Sequence, residues 1–312
     1  MKLATTTGDL VYLSSSPAEA VRAFEGTGFK HLDYTFWRLG WDDKPILQPD
    51  FMKPVEAAAK EAERLGFDFV QAHAPGVNPF DEGCFDEVVL MEEHAIEACA
   101  YLGIKKMVVH SGILEGCCYP EGRQRFFDEN KRFFDALYPA ASKYGVKIVT
   151  ENLFTVGGNR RYMLMNGKDL ADFVEYCNNP YLGVCWDTGH GNIMNGAVYD
   201  DITAIGEHLD ALHVQDNFGK WDDHLVPYVG TLDIDALMNG LKDSGYIERG
   251  NYFTFECDNI INANAACRES RNRDSRFEQK VNAPSLELKR AAVALMYQIG
   301  KSILQAYDCY ED

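Results

Sequence analysis

The feature that most limits what this chain can fold into is a regular exchange between two patterns. Short runs rich in β-branched and aromatic residues alternate with longer segments whose apolar residues recur at helical spacing. That order is expected of βα units laid around a parallel sheet. It predicts strands near residues 2–6, 29–34, 67–72, 106–110, 146–150, 182–186, 210–214 and 252–256. Helices are predicted near 16–27, 51–65, 86–102, 124–143, 167–178, 200–208, 233–243 and 284–305. Ser16-Pro17 opens the first helix, and Gly28, Gly66, Gly103 and Gly145 each precede a strand, as glycine does after a helix end. Eight units, with no G-x-G-x-x-G after the first strand, favour a closed (β/α)8 TIM barrel over a doubly wound open sheet. No Pro/Gly/Ser-rich linker interrupts the units, so residues 1–312 read as a single TIM-barrel domain.

Charge and composition exclude some partners. With 48 acidic and 30 basic side chains the formal net charge is −18, which repels a phosphate backbone and argues against nucleic acid. The first sixteen residues lack the apolar core of a signal peptide, and no stretch approaches the roughly 18 apolar residues of a membrane span. A cytoplasmic protein with no membrane partner is expected. Nine cysteines, an odd number without a C-x-x-C pair, fit reduced and mostly structural thiols; the adjacent Cys117 and Cys118 fall in a loop near the expected site.

In a closed parallel barrel all strands aim their C-terminal ends at one face, so residues far apart in sequence meet there. His73 ends the third predicted strand, His110 the fourth, Glu151 the fifth, Asp187 the sixth, His213 the seventh and Glu256 the eighth. Any one of these is as well explained by a solvated or internally satisfied polar residue. Six consecutive strands delivering such groups to one rim are not. His190 and His224 lie in the loops after the sixth and seventh strands, whereas His31, His94 and His208 sit inside elements and are given no role. Glu151, Asp187, His213 and Glu256 make a hard, oxygen-dominated set suited to one divalent ion, Mn2+, Mg2+ or Co2+, with Zn2+ admitted. Three carboxylates at one rim repel one another and call for a cation to hold them together.

These residues resemble the xylose-isomerase-like TIM-barrel superfamily, in its sugar phosphate isomerase/epimerase branch, which also holds ketose 3-epimerases, inosose dehydratases and endonuclease IV. The carriers are HAP at 73–75, HSG at 110–112, TEN at 150–152, CWDTGH at 185–190, LHVQDN at 212–217, DDH at 222–224 and FECD at 255–258. The resemblance implies that Glu151, Asp187, His213 and Glu256 are the metal ligands and that Glu151 and Glu256 flank the substrate as its two proton carriers. It implies that His190 reaches the substrate, and the histidines His73 and His110 are expected on substrate hydroxyls. Asp222 and His224 are grouped with them, although this Asp-x-His pair also resembles part of the third metal site of endonuclease IV. The chain departs from ketose 3-epimerases in reading His213-Val214-Gln215-Asp216-Asn217-Phe218-Gly219-Lys220, without their arginine after the seventh strand.

Two segments add to the expected site. Tyr34, Phe36, Trp37 and Trp41 follow or end the second strand, where an aromatic face such as that of Trp37 packs against the C–H face of a sugar; a hydrophobic rim or subunit contact is the plainer reading. Asp33, which closes the same strand, reads as a surface or salt-bridged carboxylate, with binding of a hydroxyl as the alternative. The long loop at about 257–283, with Arg268, Arg271, Arg273, Arg276 and Lys280, is placed on the active face as a lid, an anion grip, an oligomer arm or a solvated charge run. The expected function is a metal-dependent isomerase or epimerase of a sugar or keto-sugar, working through an enediolate, with a homo-oligomer allowed. An inosose-type dehydratase and an endonuclease IV-like trinuclear zinc phosphodiesterase are the alternatives.

Overall fold

The computed structural model describes residues 1–41, 43–155, 160–194, 196–261, 276 and 284–312, with Arg38 described in its backbone only. The eight strands are β1 (Leu3–Thr6), β2 (His31–Thr35), β3 (Asp68–His73), β4 (Lys106–Val109), β5 (Lys147–Glu151), β6 (Leu182–Asp187), β7 (Leu209–His213) and β8 (Phe253–Phe255). They pair in parallel in the order β7-β6-β5-β4-β3-β2-β1-β8. The Val214 N–H donates to Thr254 O (2.8 Å) and the Glu256 N–H to Val214 O (3.1 Å), which carries β7 onto β8 and closes the ring. The helices are α1 (Gly8–Val11), α2 (Pro17–Ala23), α3 (Met52–Leu65), α4 (Phe85–Tyr101), α5 (Arg123–Tyr144), α6 (Gly167–Cys177), α7 (Thr188–Met194), α8 (Val198–Ile205), α9 (Ile234–Asp243) and α10 (Leu286–Ala306). The expected (β/α)8 barrel is therefore the observed fold.

Alternation along the strands sorts the barrel interior into layers. At the N-terminal end Lys106 Nζ donates to Asp210 O and Asn251 Oδ1, each at 2.6 Å, while Lys147 Nζ pairs with Asp210 Oδ2. Two residues further along, Val108, Val149, Cys185 and Ala211 form a small apolar layer from four neighbouring strands. Two residues beyond that come His110, Glu151, Asp187 and His213. A polar floor and an apolar plug thus support the ring of acids and imidazoles. Outside the strands the main core is heavily aromatic, with Phe126, Phe133, Phe134, Phe173, Phe253 and Phe255 fully buried under the helices.

The departures from the predicted elements are local. The first predicted helix, 16–27, stops at Ala23, and the one near 200–208 tightens into a 3-10 turn over Gly206–His208. Two short helices, α1 and α7, were not anticipated; each follows a strand directly and carries polar residues whose spacing gives no apolar face to read.

Outside the barrel, Glu61 on α3 accepts from Arg64 Nη2 and Arg22 Nε, both at 2.7 Å, joining α3 to α2. Hydrogen bonds from Arg64 and Arg22 hold its carboxyl down at about 2. A depressed carboxylate adds stability above its ordinary value of 4.5 and loses it as pH falls toward 2. Glu61→Gln should lower the melting temperature by about 2 °C at neutral pH. Melts of the two proteins should converge as the buffer is taken from pH 4.5 toward 2, and an undiminished gap there would contradict the pairing.

Candidate active site

Glu151 and Asp187 end β5 and β6, His213 ends β7, and Glu256 stands one residue past β8. Each brings a ligand-type atom to one point: the four atoms lie within 4.8 Å of one another. His213 Nδ1 is 2.7 Å from Glu151 Oε1 and 3.2 Å from Glu256 Oε2. Asp187 Oδ1 accepts from the His190 N–H at 2.6 Å, but its Oδ2 is buried with no hydrogen-bond partner among the described residues. A buried carboxylate oxygen left bare beside two glutamates is poorly tolerated without a cation. The donor set therefore fits a divalent ion. Cys185 lies close by, yet burial pushes its thiol up to about 12, which keeps it protonated and out of a hard-ion set.

A supporting shell fixes these groups. His213 Nε2 is 3.1 Å from Asp33 Oδ2, and Gln71 Nε2 donates to that same oxygen at 2.8 Å. Of the surface and salt-bridged readings of Asp33, the second holds: it is fully buried and paired with His213, whose ring it orients so that Nδ1 faces the glutamates. Asn152 clamps β6, its Oδ1 accepting from the Asp187 N–H and its Nδ2 donating to Asp187 O. Gln215 Nε2 donates to Asp222 Oδ1 at 2.6 Å and reaches Asp187 Oδ1 at 3.3 Å. Gly189 makes room for that amide, since a Cβ there would sit 2.1 Å from Gln215.

Above this layer opens a cavity of about 430 Å³, lined by Trp37, Trp41, His73, His110, Glu151, His190, Asp222, His224 and Glu256 among others. His110 Nε2 lies 2.7 Å from Glu151 Oε2, and His73 Nε2 lies 3.6 Å from it while its Nδ1 donates to Ala74 O. The Trp37 ring meets both histidines edge-on, at centroid distances of 4.9 and 5.2 Å. Across the cavity His190 Nδ1 donates to Asn152 O, leaving Nε2 facing Asp222 Oδ2 at 3.4 Å. His224 Nε2 is 3.0 Å from the same oxygen, in a left-handed backbone (φ 48°) held by its Nδ1 donating to Glu256 O. Eight of the ten side chains expected to act on metal or substrate therefore line this cavity, and Asp187 and His213 lie against Glu151 and Glu256 beside it.

The two glutamates differ electrostatically. Burial raises Glu151, but the charge of His213 and hydrogen bonds from His110, His213 and His73 outweigh it and hold the carboxyl well below its usual range. Burial pushes Glu256 up to about 7. His190 is lowered by burial, but the charge of Asp187 and the contact with Asp222 raise it to about 10.

Sequence reasoning missed the roles of Gln71, Asn152 and Gln215, and it did not connect Asp33 with His213. Strand alternation offered a signal for two of them: Gln71 and Gln215 sit two residues from His73 and His213, on the same inward face. Trp41 lines the cavity as Trp37 does, whereas Phe36 is fully buried in the core. Cys117 is buried with its Sγ donating to Gly122 O, and Cys118 is exposed. Most of the 257–283 loop, including Arg268, Arg271, Arg273 and Lys280, lies outside the described residues. Because a Cβ at position 189 would strike the Gln215 amide, Gly189→Ala should destabilise the fold by about 1–3 kcal/mol in denaturant titrations. A variant as stable as the parent would show that the Gln215 amide can shift freely.

Comparison with known proteins agrees with this architecture. A curated relative, the inosose isomerase of Bacillus licheniformis, is 25% identical over 175 residues, covering 54% of this chain and 60% of the relative. The chain spans 51% of another curated relative, from Sinorhizobium fredii. Among solved structures, a D-tagatose 3-epimerase-like protein superposes with a TM-score of 0.71 at 18% identity, covering 99% of this chain and 98% of the other. The IOLI protein, solved with a bound zinc atom, gives 0.70 at 16% identity, over 98% and 99%. A family model described as "Xylose isomerase-like TIM barrel" matches residues 21–273, and the chain belongs to that family.

Proposed function

We propose that the chain is a divalent-metal-dependent isomerase or epimerase of a sugar or keto-sugar, acting through proton transfer at a carbon beside a carbonyl. The observation that carries this reading is the gathering of two glutamates, Glu151 and Glu256, with Asp187 and His213 at one point bordering the cavity, their ligand atoms within 4.8 Å of one another. Glu151, Asp187, His213 and Glu256 would hold the ion, for which the bare Asp187 Oδ2 is the best evidence. When bound, a divalent cation there would supply positive charge close to the substrate oxygens, where negative charge builds as the C–H bond breaks.

The chain's own residues supply the rest. Glu151, held ionised, enters as base: it takes the proton from the carbon, and the C–H electrons pass to the carbonyl oxygen to give an enediolate. Glu256, whose carboxyl reaches the same point from the end of β8, would return a proton to carbon. Delivery to the opposite face of the same carbon epimerises the substrate; delivery to the neighbouring carbon, with the hydroxyl proton of the first carbon passing to the former carbonyl oxygen, isomerises it. His73, His110 and His190, with Asp222 and His224, ring the cavity with donors and acceptors spaced for hydroxyls, and Trp37 offers an aromatic wall. An inosose-type dehydratase would share the first half of this scheme and then expel a hydroxyl.

The test is incubation with ketoses, keto-glycosides and inososes in deuterated water, read by mass spectrometry. One deuterium on carbon supports the scheme, and loss of water marks the dehydratase. Glu151→Gln and Glu256→Gln should each lower exchange by about 100-fold or more while the barrel stays folded; full exchange in either variant would defeat the two-glutamate scheme. Asp33→Asn, which disturbs the His213 ring from behind, should weaken Mn2+ or Zn2+ binding by about 10–100-fold in calorimetric titration. Unchanged affinity would show that Asp33 does not set the His213 ring for the ion.

One observation favours a second reading. His73, His110 and Glu151 form another group of ligand atoms within 4.8 Å, as a trinuclear phosphodiesterase would need. The net charge of −18 weighs against a nucleic acid substrate. About three zinc ions per chain together with cleavage of abasic DNA would establish that reading instead.

A further inference from the structure

Beside the substrate cavity lies a second chamber of about 310 Å³, bounded by the segments after β3, β4 and β5 and by residues of α4 and α5. Trp37 and His110 line both spaces and form the partition between them. The chamber walls are largely apolar, drawn from Val77, Ile113, Phe133, Leu153, Phe154 and Met163. Of the four polar side chains in the lining, Asn78 is bonded to Asp81 and Ile113 and His110 to Glu151; the other two are Glu92 on α4 and Ser111 just past β4. They are 2% and 3% exposed, and Glu92 Oε2 and Ser111 Oγ have no hydrogen-bond partner among the described residues.

The metal group does not use Glu92, and packing alone would be served as well by leucine. Burial holds its carboxyl well above the usual range, so it is protonated at neutral pH and offers one O–H donor and an acceptor. A neutral carboxyl left unpaired against apolar walls is unfavourable until something with a complementary polar group enters. The volume exceeds the roughly 150 Å³ cavity that takes a benzene ring. A second sugar would leave most of its hydroxyls unpaired on these walls. An apolar ring bearing one or two polar groups would not.

We infer that the substrate carries such a ring, joined to the sugar as the aglycone of a glycoside, which passes the Trp37–His110 partition and seats in this chamber with its polar group on Glu92 and Ser111. The inference rests on the keto-sugar chemistry proposed above and names the substrate class within it. The sugar occupies the larger cavity over Glu151 and Glu256; the ring fills the smaller one.

The experiment compares methyl, phenyl and 4-hydroxyphenyl 3-keto-glucosides as substrates for deuterium exchange, and separately follows binding of 4-methylphenol by NMR, which needs no turnover. The intact protein should bind 4-methylphenol saturably. Its kcat/KM should rise about tenfold from methyl to phenyl, and further to 4-hydroxyphenyl. Glu92→Leu should equalise the two aryl substrates and raise the melting temperature, because it removes the unpaired carboxyl. Met163→Trp, which fills the chamber, should abolish 4-methylphenol binding and the aryl preference together. Equal exchange of all three glycosides with no 4-methylphenol binding would overturn the inference and leave the proton-transfer scheme standing. Bound 4-methylphenol with no exchange on any glycoside would instead overturn the keto-sugar chemistry and the aglycone assignment with it, leaving only a ring-binding chamber.

Discussion

The contact on which the site depends is the one between Glu151 and His213, 2.7 Å apart at the ends of β5 and β7. These strands do not pair with each other; β6 lies between them, so the contact bridges over β6 and ties next-but-one strands together at their C-terminal ends. Removing either partner leaves a buried charge beside Glu256 and Asp187, a loss that surface pairs never approach. The apolar layer of Val108, Val149, Cys185 and Ala211 beneath gives the two side chains a dry floor. Dryness strengthens their attraction and makes the bare Asp187 Oδ2 so demanding. The barrel thus concentrates negative charge where a cation can use it, and a small part of the chain's acidic surplus belongs to this site.

Asymmetry between the glutamates follows from what each one meets. Glu151 is surrounded by three imidazoles, from β3, just past β4 and β7, whereas Glu256 stands one residue past the shortest strand with fewer donors around it. Identical carboxyls therefore enter the same site with opposite tendencies to hold a proton. Asp33 and Gln71 extend the arrangement inward, setting the His213 ring from behind so that its other nitrogen faces both glutamates.

The fold and the rim of the site were legible in the sequence because both rest on repetition. Strand periodicity placed all eight strands, and parallel direction then sent His73, Glu151, Asp187 and His213 to one face without further information. What remained hidden depends on partners that only three dimensions supply. Asp33 reads like any strand-end acid until Gln71 and His213 are seen to enclose it. Asn152 and Gln215 act on β6 from neighbouring strands, and no local spacing links them to Asp187. Glu92 lies on α4 among other acids, such as Glu93 and Glu97, and only the chamber beside it sets it apart. The two extra short helices escaped for the same reason, since α7 is built from a Thr-Gly-His segment whose shape is imposed by the bonds around Asp187.

The central claim is that four side chains from β5, β6, β7 and the end of β8 share one cation, and anomalous diffraction from crystals soaked in Mn2+ tests it most directly. The account predicts a peak within coordination distance of Glu151, Asp187, His213 and Glu256 together, about 2.0–2.3 Å from one atom of each. A crystal with these side chains in place but Mn2+ bound only elsewhere would contradict it.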